Sequence, residues 1–227
     1  EGSVVLDVRG IRGRQREDDV ITVGAGEPVR PLDSWLRSQG LALPVHPDAF
    51  GETSVGAMVA TGLTSGIGMV RGGIDRWVTG LTVVTGTAEV LQTGTSAGFV
   101  DTGAFLRDGL PDPTGLFMGS EGTLGVIVGA SLRARPTPWV VYVEGQHSDP
   151  LAILRCGRAL CREGLCDTVR AVREHEPAAG GSYRDMPWRI TISVDSLLDA
   201  DDAQSRASRV WDRLQAVGVE GATLASE

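Results

Sequence analysis

Residues 115–138 read GLFMGSEGTLGVIVGASLRARPTP, and the meaning of the fold turns on them. Four glycines (Gly115, Gly119, Gly122, Gly125) and one acid, Glu121, precede the strand-forming run Val126, Ile127, Val128. Glycine admits positive φ and lets backbone come within contact distance of a flat or charged ligand. Exposed N–H groups in such a loop bind phosphate or the edge of a purine. Glycine-rich loops also serve as plain turns, so the segment alone leaves both readings open.

Upstream lies a second stretch of the same kind, GETSVGAMVATGLTSGIGMVRGG, at residues 51–73. It mixes small residues with the hydroxyls of Thr53, Ser54, Thr61, Thr64 and Ser65. Small side chains and N–H donors at the start of a helix suit a pyrophosphate. Other nucleotide signatures are absent: no G-x-G-x-x-G opens a βαβ unit, and there is no G-x-x-x-x-G-K-[ST]. His46, His147 and His175 stand in unrelated contexts, which argues against a hydrolase triad and a histidine metal site.

Around these loops the first half, to about Pro138, shows short strand signals. VITVGAG (20–26) reads as a strand closing on a glycine turn. EPVRPLDSWLRSQG (27–40) reads as a helix, with Pro28 near its first turn, Gly40 as its stop, and Val29, Leu32, Trp35 and Leu36 on one face. WVTGLTVVTGTAEVLQTG (77–94) reads as a hairpin about Gly86-Thr87, and residues 95–114 as an exposed loop. SVVLDV (3–8) looks strand-like. Arg9, Arg12, Arg14 and Arg16, followed by Glu17, Asp18 and Asp19, read as a solvated turn.

RARPTPW (133–139) is the expected boundary, giving domains at 1–138 and 139–227. Beyond it, WVVYVEG, DPLAILRCGRALCREG, DTVRAVRE, WRITISV, DADDAQSRASRVWDRLQAVG and VEGATLAS predict the order βαββαβ, a split βαβ unit. Trp188, Ile190, Ile192 and Val194 alternate onto one face of a strand. Ala203, Ala207, Val210, Leu214 and Val217 make one helical stripe. The fold class is therefore α+β, with no catalytic cluster in the second half.

Composition bounds the function. The chain has 227 residues and a net charge of -8, which argues against a nucleic-acid partner. No apolar run approaches the roughly 20 residues of a membrane span. Cys156, Cys161 and Cys166 match no zinc pattern, and residues five apart on a helix point in different directions, so they read as structural thiols in a reducing, cytoplasmic setting.

Taken together, VVLDVRG, ITVGAGEPVRPLDSWLRSQGLALPV, TSVGAMVATGLTSG, VTGLTVVTGTAEVLQTG and GLFMGSEGTLGVIVGASLRARPTP resemble the FAD-linked PCMH-type (vanillyl-alcohol-oxidase-like) flavoproteins in order and spacing. The last is similar to glycolate-oxidase and D-lactate-dehydrogenase-like members, and SVGAMVATGLTSGIGMVRGGIDRWV to cytokinin-dehydrogenase-like ones. The resemblance covers residues 1–138 and implies a partial FAD-binding domain followed by a ferredoxin-like cap domain. It implies FAD as cofactor, a small organic substrate that gives up a hydride from a C–H beside O or N, and oxygen or another electron acceptor. By this resemblance Pro47, Thr53, Ser54 and Gly56 lie along the flavin and its pyrophosphate, with Ala60, Thr64 and Gly66 continuing the segment. Gly122, Gly125, Val126 and Ile127 match the strand whose backbone meets the adenine end, with Glu121 bracing the loop or meeting a ribose hydroxyl. Asp48 falls near the position of a catalytic acid, with a turn in HPDAFG as the other reading; no metal ligands are implied.

The chain also departs from the family. Gly56-Ala57 stands where paired glycines are usual, and Thr61 where Asn is frequent. The family's first subdomain, with a further pyrophosphate loop and often a flavin-bonded His, would precede residue 1. Two functions follow from this: an FAD-dependent oxidoreductase, or a truncated flavoprotein fold acting as a binding or assembly subunit. In the second case an oligomer or another chain would complete the cleft.

Overall fold

The structure, a computed structural model, describes residues 5–44, 53–63, 73–97, 103–107, 112–173 and 187–226. It divides after Thr137 into two compact units. The first contains β1 (Arg14–Glu17), β2 (Val20–Gly24), α1 (Val29–Arg37), β3 (Leu41–Ala42), α2 (Val55–Ala60), β4 (Val78–Val84), β5 (Val90–Gln92), α3 (Thr114–Phe117), β6 (Val126–Arg133) and β7 (Arg135–Pro136). Five strands form one antiparallel sheet in the order β1-β2-β6-β4-β5, and β3 pairs with β7.

The strand behind the glycines, β6, is therefore the middle of the sheet. Ile127, Ala130 and Leu132 on it are buried with Ile21 and Val23 of β2 and Val78, Leu81 and Val83 of β4. Helix α1 covers this core with Val29, Leu32 and Leu36, while Trp35 packs at its edge. Fully burying a leucine contributes about 1.5–3 kcal/mol, so the Leu32–Leu36 pair anchors the helix. The buried Asp33 on the same helix is paired: its carboxylate accepts the Leu43 N–H at 2.8 Å and Arg37 Nε at 2.7 Å. Gly40, at φ 74°, turns the chain out of α1 as expected of a helix stop.

Several expectations need correction. Residues 5–8 form no strand; Val5 and Leu6 are exposed, and the segment pairs with no strand among the described residues. The arginine cluster is not a solvated turn throughout, because Arg14–Glu17 pair with β2 as an edge strand. The turn itself falls at Asp18-Asp19, with Asp18 at φ 54°. Part of the 95–114 loop is interior: Ala104 is buried, Thr79 Oγ1 donates to its carbonyl, and its N–H donates to Ser131 Oγ at 3.2 Å. Arg135–Pro136 is paired with β3, so the proline-rich stretch is in part a strand and not only a linker.

The second unit contains β8 (Trp139–His147), α4 (Pro150–Arg162), β9 (Thr168–Arg173), β10 (Trp188–Ser196), α5 (Ala200–Ala216) and β11 (Glu220–Ser226). Its sheet order β11-β8-β10-β9, antiparallel throughout, is the ferredoxin-like arrangement that the sequence pattern predicts. Val141, Val143, Ile190, Ile192 and Val194 form one core with Ile153, Leu160, Ala203, Ala207, Val210 and Leu214. The stripe on α5 ends at Leu214, because Val217 is past the last turn and exposed. Both helices start on aspartate caps: Asp149 accepts the Leu151 N–H and Asp199 the Asp202 N–H.

Candidate functional site

The two glycine-rich segments, some sixty residues apart in sequence, meet in the first unit. Helix α2 begins at Ser54, whose hydroxyl accepts the Ala57 N–H at 3.3 Å. Its inner face is set by packing. Val55, Met58 and Val59 are buried in the core, and Gly56 lies against Ala25 so closely that an added Cβ would stand 2.7 Å from the Ala25 Cβ. Backbone bonds hold the same approach, from Gly56 N–H to the Ala25 carbonyl and from Val55 N–H to that of Glu27, each at 2.8 Å. The Glu27 carboxylate is buried and accepts Arg14 Nε at 2.8 Å, so the turn beneath α2 is charged but paired.

The outer face of α2 is different. Ser54 and Ala60 are partly exposed, while Ala57 and Thr61 are exposed, so this face carries nothing longer than a methyl or hydroxyl group. At its C-terminal end the second segment docks. The N–H of Gly119 donates to the Val59 carbonyl at 3.1 Å, and that of Glu121 to the Ala60 carbonyl at 2.8 Å. Gly62, at φ 60°, faces Gly119 across a gap in which an added Cβ would sit 3.2 Å from the Gly119 Cα. The result is a shelf of small residues with two backbones in near contact, continuous with the turn that feeds the central strand.

The positions predicted for a cofactor separate on this framework. Thr53, Ser54 and Ala60 lie on or beside the shelf. Gly56 points inward, so its missing side chain serves packing against Ala25. Glu121 adopts φ 52°, unusual for a residue with a Cβ, and its backbone braces the loop. Its carboxylate is exposed and makes no hydrogen bond or ion pair among the described residues. Gly122, at φ 77°, has open space where a side chain would be. Gly125 is required by the sheet: a Cβ there would stand 2.6 Å from Val83 Cγ1. Val126 is partly exposed, whereas the Ile127 side chain is core. Pro47, Thr64, Gly66, Asp48 and His46 lie outside the described residues.

Sequence reasoning missed Gly62 and Gly119 as partners in a backbone contact; the signal was the glycine at each segment's turn. A cleft of about 570 Å³ lies at the opposite end of β4 and β6, lined by residues that include Arg76, Arg107 and Arg133. Two of these guanidinium groups are already engaged. Arg107 Nε donates to Asp112 at 2.8 Å, and Arg133 donates to the Phe105 carbonyl at 2.7 Å. Asp112 is the most heavily bonded carboxylate there. Burial works against its charge, but bonds from Thr114, Arg107 and the Gly94 N–H outweigh that and hold its pKa below the ordinary aspartate value. Among the described residues no cluster of three metal-ligating side chains occurs, and no helix is long and apolar enough to cross a membrane.

Comparison with known proteins assigns the fold. Residues 1–94 match the FAD binding domain family. Over those residues the chain is similar to the FAD-linked PCMH-type flavoproteins, and FAD is the cofactor that this domain family binds. The chain is 39% identical over 122 residues to a D-2-hydroxyglutarate dehydrogenase of Xanthomonas citri pv. viticola, covering 53% of this chain and 24% of that one. It is 37% identical over 171 residues to a probable mitochondrial D-lactate dehydrogenase of Danio rerio, covering 68% and 31% respectively. It is also 33% identical over 138 residues to the glycolate oxidase subunit GlcE of Escherichia coli, 59% of this chain and 37% of that one. This chain thus spans less than two-fifths of each of these relatives. An alkyldihydroxyacetonephosphate synthase shares the fold, with TM-score 0.69 at 18% identity over 95% of this chain and 43% of that one.

The shelf fits an FAD. On α2 the exposed face carries only the short side chains of Ser54, Ala57, Ala60 and Thr61, which leave the backbone open to a flat or pyrophosphate-bearing group, and Gly122 leaves open space beside it.

Proposed function

We propose that the chain is part of an FAD-dependent dehydrogenase or oxidase acting on a small 2-hydroxy acid. The observation that carries this reading is the docking of residues 119–121 onto α2, which turns two glycine-rich segments into one small-residue shelf. In this reading the shelf residues Ser54, Ala57, Ala60 and Thr61, with the Gly119–Gly122 turn, hold FAD by backbone approach. The flavin supplies the hydride chemistry. The substrate class is supported by relatives named for D-2-hydroxyglutarate and D-lactate, each with a hydroxyl beside a carboxylate. Pro47, Thr64 and Gly66 would extend the site, with Asp48 as a candidate base and oxygen or another acceptor taking the electrons. Free thiols at Cys156, Cys161 and Cys166 suit a reducing compartment, the cytoplasm in our reading.

A second reading is favoured by Leu116 and Leu124, which flank the Gly119–Glu121 turn and are 65% and 53% exposed. Exposed leucines beside a cofactor shelf suit coverage by further polypeptide, as in an assembly subunit. Anaerobic bleaching of the flavin tests both. Bleaching by D-2-hydroxyglutarate, D-lactate or glycolate supports the enzyme. A protein that retains FAD yet bleaches with none of these, alone or with an added partner chain, removes the proposed substrate class.

A further inference from the structure

Cys161 and Cys166 are brought together by a feature that the five-residue spacing hides. Helix α4 ends at Arg162, and Gly164 reverses the chain at φ 68°. The Gly164 N–H donates to the Cys161 carbonyl at 3.2 Å and the Leu165 N–H to the Leu160 carbonyl at 2.9 Å, a Schellman turn. Leu160 and Leu165 are both buried, so the core fixes the reversal. Cys166 returns beside Cys161, and the two sulfurs lie 3.4 Å apart. A disulfide needs about 2.05 Å, so closure asks the two sulfurs to approach by little more than 1 Å.

The two thiols differ in access. Cys161 is partly exposed, while Cys166 is 1% exposed. We propose that this pair is a thiol–disulfide modification site that exchanges with small-molecule disulfides, with Cys161 as the attacking thiol and Cys166 as the resolving one. The Cys161 thiolate attacks one sulfur of a disulfide RSSR; that S–S bond breaks and RS⁻ leaves, taking a proton from water. The Cys166 thiol then gives its proton to solvent and attacks the Cys161 sulfur, expelling the second RS⁻. Two protein thiols lose two electrons and two protons, and RSSR gains them as two RSH. Burial, and then the contact with Cys161, pushes the Cys166 thiol well above the ordinary cysteine range, which keeps it from reacting first.

The site adjoins a clamp within the second unit. Asp167, next in sequence, accepts the Asp195 N–H at 2.8 Å and pairs with Arg206 at 3.2 Å, while Arg206 also donates to the Gly164 carbonyl at 3.1 Å. The turn is therefore held at both ends before any bond closes. Cys156 provides an internal control, since its Sγ neighbour is the Arg213 carbonyl at 4.0 Å and not a thiol.

The reduced full chain is treated with oxidised glutathione, quenched in acid, alkylated and mapped after trypsin. The expected product has lost two of its three alkylatable thiols, and ALCR (159–162) is cross-linked to EGLCDTVR (163–170) while Cys156 remains alkylatable. Dithiothreitol restores all three. In Cys166→Ser the glutathionyl adduct stays on Cys161. A wild-type map in which Cys161 keeps glutathione while Cys166 is alkylated overturns the proposal. So does a cross-link through Cys156, or a Cys161 no more reactive than Cys156. The wild-type map decides the matter even if the variant fails to fold.

Discussion

Gly56 and Ala57 are neighbours on α2 with opposite fates, and exchanging them for larger residues separates folding from cofactor binding. In Gly56→Ala the new methyl would stand 2.7 Å from the Ala25 Cβ and 3.0 Å from its carbonyl oxygen. Overpacking of this kind costs about 1–3 kcal/mol. Against that, replacing a helical glycine by alanine gains about 1 kcal/mol of propensity. The balance is a loss of roughly 0–2 kcal/mol, or a fall of up to about 8 °C in the unfolding midpoint. Ala57 is exposed, so Ala57→Leu should leave stability within about 0.5 kcal/mol. Its longer side chain would rise from the shelf where a cofactor must approach the backbone. Thermal unfolding followed by circular dichroism, paired with FAD titration monitored by flavin fluorescence, reads both effects. The expected pattern is a lowered midpoint for Gly56→Ala and an unchanged midpoint with at least about tenfold weaker FAD binding for Ala57→Leu, a difference of about 1.4 kcal/mol. An Ala57→Leu chain that binds FAD as tightly as the parent would refute the shelf as the binding surface.

Three further outcomes follow from the same geometry. Gly125→Ala should lower the urea midpoint by an amount equivalent to about 1–3 kcal/mol, since its Cβ would meet Val83 Cγ1 at 2.6 Å and the Val84 carbonyl at 3.0 Å; a neutral result would mean the β4–β6 contact is looser than described. Glu121→Gly relieves a left-handed residue at φ 52°, so stability should hold or rise by about 1 kcal/mol; a fall of that size would show that the carboxylate itself supports the fold. Asp112 has a depressed pKa, so its contribution is present at neutral pH and is lost as pH falls through that lowered value. The stability gap between the parent and Asp112→Asn should accordingly narrow below about pH 4, and a gap that stays constant to acid would contradict the bonding network.

Much of this architecture could be read from residue order because its signals are local. Gly40 and Gly164 stop helices, Asp149 and Asp199 start them, and the Trp188–Val194 alternation marks one buried face. What escaped were effects of tertiary pairing. Arg14–Glu17 look solvated until β2 offers its edge, and Val5–Val8 look like a strand but pair with nothing described. The candidate site was half legible. Its two segments were identifiable, but not which glycines border the open shelf and which serve the core. That distinction depends on Ala25 behind Gly56 and Val83 behind Gly125, contacts made across the sheet. The Cys161–Cys166 contact was hidden likewise, because helical periodicity was extended past the turn at Gly164.

The central claim is that the α2 shelf holds FAD, and the most direct test is the ultraviolet–visible spectrum of the purified chain before and after FAD is added and the excess removed. Flavin bands that remain with the parent chain and are lost in Ala57→Leu are the predicted result. A parent chain that is folded by circular dichroism yet stays colourless, even when supplied with FAD and a complementing polypeptide, would contradict it.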